Sequence, residues 1–116
     1  MARTTIAIGA SAETDATAAL AAAGYRIIER NYRCSIGELD AIARDGDTLV
    51  FIEVRSRSDQ LHGNAAEMVS AHKRRRVARV AEAYLLDRMP AFTTCRFDVV
   101  AVTGGRIELI KDAWRL

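Results

Sequence analysis

The amino-acid sequence predicts a mixed α/β layer fold in which helices flank a single sheet. Three observations predict this fold. A helical apolar pattern near the N-terminus is followed by three strand-like segments, and an Asp-Gly pair typical of a hairpin separates the last two. A long helical pattern then precedes the apolar segment RFDVVAV, residues 96–102. The predicted element order is therefore αβββαβ, followed by a short final strand.

Each element has a local signal. Residues 1–10 are predicted to form a flexible tail, and residues 11–116 are predicted to form a single domain. Ser11 is a suitable N-cap for a first helix that ends at Gly24. The other elements are predicted as strands at 25–33, 36–44 and 48–57, a helix at 65–89, and strands at 96–102 and 106–110.

Composition excludes several classes of protein. The net charge of +2 says little about partners. Cys34 and Cys95 are too far apart in sequence to predict a disulfide framework or a C-x-x-C zinc site. Glu13 and Asp15 interrupt the alanine-rich start, so an export signal is not expected. No segment approaches the ~20 apolar residues that span a bilayer. These features predict a cytoplasmic protein with no membrane partner.

A buried acid draws attention to the predicted hairpin. Glu53 lies within the apolar run 49–54, where a carboxylate is costly unless it is paired or bound to a metal. A two-residue turn at Asp45 and Gly46 would place Asp40 opposite Phe51 and Glu38 opposite Glu53. Glu38, Asp40 and Glu53 would then lie on one face of the sheet.

Three neighbouring carboxylates favour a hard divalent cation such as Mg²⁺, which binds carboxylate and phosphate oxygens. Such an ion would activate water and neutralise charge on a phosphate. Arg55 and Arg57 are suited to holding phosphate oxygens. A second interpretation stays open on spacing alone: Glu38 is exposed at a strand edge, and Glu53 forms an ordinary buried salt bridge with Arg55 or Arg33.

The densest basic segment is HKRRR, residues 72–76, within the long predicted helix. It predicts either a solvated helix face with long side chains or a patch that contacts phosphates. The segment has no interleaved aromatic residues of the kind that stack single-stranded bases. Duplex or branched DNA is therefore the nucleic acid that this segment favours.

Several of these motifs, in this order and spacing, resemble the YraN-like family. Proteins of this family are similar to archaeal Holliday-junction resolvases and belong to the PD-(D/E)XK nuclease superfamily. The resemblance covers about residues 9–114. The matching segments are NYRC (31–34), GELD (37–40), DGD (45–47), FIEVRSR (51–57), AAE (65–67), Lys73, YL (84–85) and RFDVV (96–100).

The resemblance implies a restriction-endonuclease-like αβββαβ core and a set of metal ligands. Asp40, Glu53 and the backbone carbonyl of Val54 would hold Mg²⁺ or Mn²⁺. Glu13 would reach the ion directly or through water, and Glu38 is the acid just before the motif aspartate. Arg55 stands where the superfamily motif has lysine, so it can stabilise charge but cannot act as a general base.

The resemblance also implies the partner. Lys73 would lie near the site, and the arginines beside it would contact the DNA backbone, as would Arg57; these arginines are Arg74, Arg75 and Arg76. The leading hypothesis is a metal-dependent endonuclease-like protein that acts on DNA, branched or junction DNA included, as a homodimer. The alternatives are a non-catalytic nucleic-acid-binding or accessory module that retains the fold, and a protein-interaction domain without salt-dependent DNA binding.

Overall fold

The computed structural model describes residues 2–7, 12–57, 69–103 and 106–115. These residues form six strands and two helices. In chain order they are β1 Ala2–Ala7, α1 Ala12–Ala22, β2 Arg26–Arg33, β3 Glu38–Asp45, β4 Thr48–Arg57, α2 Ala71–Arg88, β5 Thr94–Thr103 and β6 Arg106–Trp114.

The strands form one mixed sheet in the order β1-β6-β5-β4-β3-β2. Among the described strands, only the β4–β5 pair is parallel, and the chain between these two strands contains α2, as a parallel pair requires a crossover connection. β4 is an inner strand with layers on both sides, which explains why its residues 49–52 are all fully buried. The same position explains why a charge on this strand is costly.

Each face of the sheet carries its own core. On one face α2 contributes Val77, Val80 and Tyr84, which pack with Phe51 of β4 and its neighbours. On the other face Leu20 of α1 and two small alanines pack against Val50 and the residues around it. The alternation of Val50 and Phe51 between the two cores follows from the two-residue period of a strand.

The predicted α/β fold is confirmed, and β4 has the predicted bounds. The structure places Ala2–Ala7 in β1, paired with β6, where the sequence predicts a tail. Such a strand is stabilised by a partner near the other end of the chain, which local patterns do not show. The second helix begins at Ala71, after its N-cap Ser70, so residues 69 and 70 are not helical as predicted; the predicted helical residues 65–68 lie outside the described part.

The hairpin register differs from the prediction by two residues. The ladder closes with Asp45 opposite Thr48, so the turn residues are Gly46 and Asp47. Gly46 has φ +62°, which suits glycine at this position. Phe51 therefore lies opposite Ile42 rather than Asp40. A shift by an even number of residues keeps each side chain of β4 on its face, so Glu53 stays on the predicted side.

Candidate active site

Asp40 and Glu53 meet where the β3–β4 ladder ends. The paired residues continue as far as Ala41 and Ile52, so that Asp40 and Glu53 come next in line on the two strands. Beyond this point a side chain of β3 bonds to the backbone of β4: the Asp40 Oδ2 accepts a hydrogen bond of 2.7 Å from the Val54 N–H. This bond fixes the carboxylate beside the segment of β4 that carries Glu53.

The three predicted acids do not line one face in simple alternation. Leu39 and Ile42 are three residues apart yet pack in the same α2-side core, so the alternation of β3 is interrupted between them. The Glu38 carboxylate forms a salt bridge of 3.0 Å with Arg33, and the Glu38 side chain is 51% exposed. The structure thus brings Asp40 and Glu53 together and pairs Glu38 with an arginine.

Glu53 is a buried acid with two cations beside it. Its side chain is 5% exposed, and its Oε1 lies 3.6 Å from the Arg55 guanidinium and 3.6 Å from Lys73 Nζ. The pKa of Glu53 is nevertheless raised from 4.5 to about 7: burial is the largest cause and the neighbouring Asp40 carboxylate adds to it, while the two cations act in the opposite direction. Desolvation therefore outweighs the ion pairs, and an ordinary salt bridge does not account for this acid.

The start of α2 positions Lys73. Ser70 is the N-cap, and its Oγ accepts a hydrogen bond of 3.1 Å from the Lys73 N–H. Lys73 thus belongs to the first turn, where the helix dipole is positive. The side chain is 32% exposed, and it reaches Glu53 across the space between helix and sheet. The family resemblance implied that Lys73 is near the site, but the direct contact depends on how α2 crosses the sheet.

The three predicted DNA-binding arginines on α2 differ in their surroundings. Arg74 is used in packing, because its Nε donates to the Val69 carbonyl at 2.9 Å and its guanidinium lies 5.5 Å from the Trp114 ring centre. Arg75 is exposed. Arg76 is also exposed, and its guanidinium lies 3.2 Å from His72 Nε2. Arg75 and Arg76 are therefore the two whose charged ends face solvent.

Two of the predicted site residues have side chains outside the described part, namely Glu13 and Arg57. Glu13 lies on α1, four residues before Thr17. Thr17 and Asp40 line the same narrow cavity between α1 and the β3–β4 pair. The Glu13 position is therefore one helical turn away from a residue that lines the cavity beside Asp40.

A divalent cation fits the donor set. Within the described ranges, no group of three or more His, Cys, Asp and Glu side chains could hold a metal ion together. Mg²⁺, however, is commonly bound through one or two carboxylates, with water and substrate phosphate completing its shell. The pair Asp40 and Glu53 supplies those carboxylates, and burial together with the neighbouring Asp40 carboxylate raises the pKa of Glu53 despite the two cations beside it.

Known proteins with similar sequences form one family. A family model described as "Uncharacterised protein family UPF0102" matches residues 12–102, which include Asp40, Glu53 and Lys73. A UPF0102 protein of Moorella thermoacetica is 49% identical over 112 residues, covering 91% of this chain and 93% of that protein. One of Syntrophus aciditrophicus is 48% identical over 112 residues, covering 93% and 88%. Among the described residues, neither helix is long and apolar enough to cross a bilayer.

Proposed function

We propose that this chain, which belongs to the UPF0102 or YraN-like family, is a divalent-metal-dependent endonuclease that acts on DNA. Branched DNA is the proposed preferred substrate, by resemblance to junction resolvases. One observation carries the proposal. Glu53 is almost fully buried next to Asp40, and its pKa is raised to about 7 although two cations are in contact with it. An acid with this cost is typical of a functional site.

The proposed ligands are Asp40 and Glu53, completed by the Val54 carbonyl and, from α1, by Glu13; Glu38 is a further candidate. Bound Mg²⁺ or Mn²⁺ supplies an activated water and neutralises charge on the scissile phosphate. The Asp40 carboxylate needs little reorganisation, because its bond to the Val54 N–H already fixes it.

Two sets of arginines contact the DNA in this proposal. Arg55 lies beside Glu53 and stabilises the charge that develops on the phosphate. Arg57 on β4 and Arg75 and Arg76 on α2 contact the backbone. Such contacts are independent of sequence and weaken steeply with salt. The symmetric cutting of a branched substrate requires two sites, so the proposed assembly is a homodimer.

Arg55 also favours a second candidate, a non-catalytic DNA-binding or accessory module. Arginine stays protonated, so the residue two positions after Glu53 cannot accept a proton from water. If no other group assists the water, the protein binds metal and DNA without turnover. The two candidates share the same site and differ only in cleavage.

The first test is the binding of Mn²⁺, measured by calorimetry for the wild type and for the double variant Asp40→Ala/Glu53→Ala. The matched control is Asp47→Ala/Glu82→Ala, which removes two exposed carboxylates. The proposal expects binding to the wild type and the control, and none to the Asp40/Glu53 variant. Equal binding to all three proteins would contradict the proposed site.

The second test is cleavage. Labelled four-way junctions, flaps and linear duplexes are incubated with Mg²⁺ or Mn²⁺ and separated on denaturing gels, while sedimentation measures the number of subunits on the junction. Cleavage that needs Asp40 and Glu53 supports the endonuclease. Salt-dependent binding without cleavage by the wild type or by Arg55→Lys supports the accessory module. Absence of DNA binding would refute both.

A further inference from the structure

Two cations share the charge of Glu53. Arg55 and Lys73 both lie 3.6 Å from the same atom, Glu53 Oε1. A divalent ion bound at Glu53 would bring two further positive charges next to these cations, in a place where Glu53 is nearly excluded from water. Such crowding of positive charge would be unfavourable until a cation leaves Glu53 or an anion joins the site.

The contact between Lys73 and Glu53 is of a kind that can be exchanged. Its 3.6 Å separation is longer than the 2.7–2.9 Å that is typical of charge-assisted hydrogen bonds. Lysine is a point charge on a flexible four-carbon stem, and a third of this side chain is exposed. The backbone of Lys73, by contrast, is fixed by the Ser70 cap, so the ammonium can move while its anchor stays in place.

We infer that Lys73 is a shared cation that couples metal binding to DNA binding: it balances Glu53 in the metal-free protein and turns to a DNA phosphate when a divalent ion takes its place. This inference rests on the proposed function. Lys73 is then a phosphate-binding and positioning residue, and the coupling runs through its charge. Metal binding frees a cation for the phosphate, and phosphate binding removes a cation that competes with the metal.

Coupling of this kind is reciprocal. If DNA increases the affinity for the metal by some factor, the metal increases the affinity for DNA by the same factor. The coupled protein holds its metal weakly when free and strongly on DNA. The site would therefore be assembled mainly on its substrate.

The test measures both affinities of this cycle with Ca²⁺ and a fluorescein-labelled four-way junction at pH 8.5, where Glu53 is ionised. Calorimetry gives Ca²⁺ affinity with and without the junction, and anisotropy gives junction affinity with and without Ca²⁺. Gels verify that the junction stays intact. The variants are Lys73→Met, Lys73→Arg and the matched control Arg79→Met, which removes a positive charge from an exposed position on the same helix.

For the wild type we expect coupling of at least about fivefold, the lower end of the usual range. Lys73→Met should bind Ca²⁺ alone about tenfold more tightly, because the competing charge is gone. The same variant should bind the junction more weakly in Ca²⁺, with coupling below about twofold. Lys73→Arg should keep most of the coupling, and Arg79→Met should leave Ca²⁺ affinity unchanged. A purely structural role for Lys73 would lower both affinities together.

Weaker Ca²⁺ binding by Lys73→Met, or undiminished coupling in that variant, would overturn the inference. Independent binding of Ca²⁺ and junction to the wild type would overturn it too, while leaving the proposed function intact. A wild type that binds neither Ca²⁺ nor the junction would refute both the inference and the proposed function.

Discussion

Glu53→Gln keeps the size of the side chain and removes the charge that the sheet buries. In the folded protein the pKa of Glu53 is about 7, against an ordinary value of 4.5, so the folded state holds a proton that the unfolded chain releases. Stability therefore falls as the pH rises from about 4.5 through 7 and levels off above that range. The variant lacks this titration and should not show this fall.

The magnitude follows from the difference between the two pKa values. At about 1.4 kcal/mol for each pH unit, the difference corresponds to about 3 kcal/mol of unfolding free energy. Glu53 is 4% exposed, so screening by solvent takes little from this figure. Relative to the wild type, Glu53→Gln should gain about 2 to 3 kcal/mol between pH 5 and pH 8, because a small part of the change is already complete at pH 5. The removal of the charge leaves Arg55 and Lys73 free to be hydrated, since both are partly exposed.

The assay is urea unfolding in EDTA, followed by the fluorescence of Trp114, the single tryptophan, which is buried. With a slope of about 1–3 kcal/mol per molar urea, the expected difference moves the midpoint by about 1 M or more. Glu38→Gln is the matched control, because that acid is half exposed and its pairing is screened by water. A wild-type stability that rises between pH 5 and pH 8, and that glutamine reduces, would refute the reasoning, since the ion pairs would then outweigh desolvation.

Three other variants test what holds the site in place, each by the same urea assay. Asp98→Ala should cost about 3 kcal/mol or more, because it leaves the partly buried Arg96 without its main partner; a loss below 1 kcal/mol would contradict that role. The groups that donate to Asp98 are the Tyr25 hydroxyl, the Arg96 guanidinium and the Asp112 N–H. Ser70→Ala should cost about 1 kcal/mol through the lost N-cap, and Ser70→Asp should restore it. Gly46→Ala should cost about 1–2 kcal/mol because of its positive φ, with Gly46→Asn costing less, whereas equal losses would argue against backbone strain.

The parts of the fold that the sequence predicted are those with strong local patterns. The bounds of β4 follow from a continuous apolar run between a turn and a polar segment. The end of α1 follows from Gly24, whose φ of +93° few other residues adopt. The pairing of β1 with β6 joins the two ends of the chain, and no local pattern indicates it.

The register of the hairpin shows where local reasoning fails. Turns at Asp45–Gly46 and at Gly46–Asp47 both use the glycine, and the local pattern favours the first, because Asp-Gly is a preferred pair in hairpin turns. Tertiary contacts distinguish them: Asp45 forms a salt bridge of 2.9 Å with Arg96 on β5, and Lys111 on β6 lies 3.5 Å away. These partners are distant in sequence, and they hold Asp45 at the end of β3 rather than in the turn.

The buried position of Glu53 near Asp40 was nevertheless predictable, because it creates a conflict that the sequence alone reveals. An acid in the middle of an inner strand contradicts the apolar pattern around it, and such local contradictions are expected at functional sites. The correct register brings Asp40 closer to Glu53 than the predicted one did, which makes the conflict stronger. Lys73 and Arg55 reduce this conflict without removing it, since burial still raises the pKa of Glu53. The proposed exchangeable divalent ion accounts better than a permanent salt bridge for a charge that is buried, adjacent to a second acid and only partly balanced by two partly exposed cations.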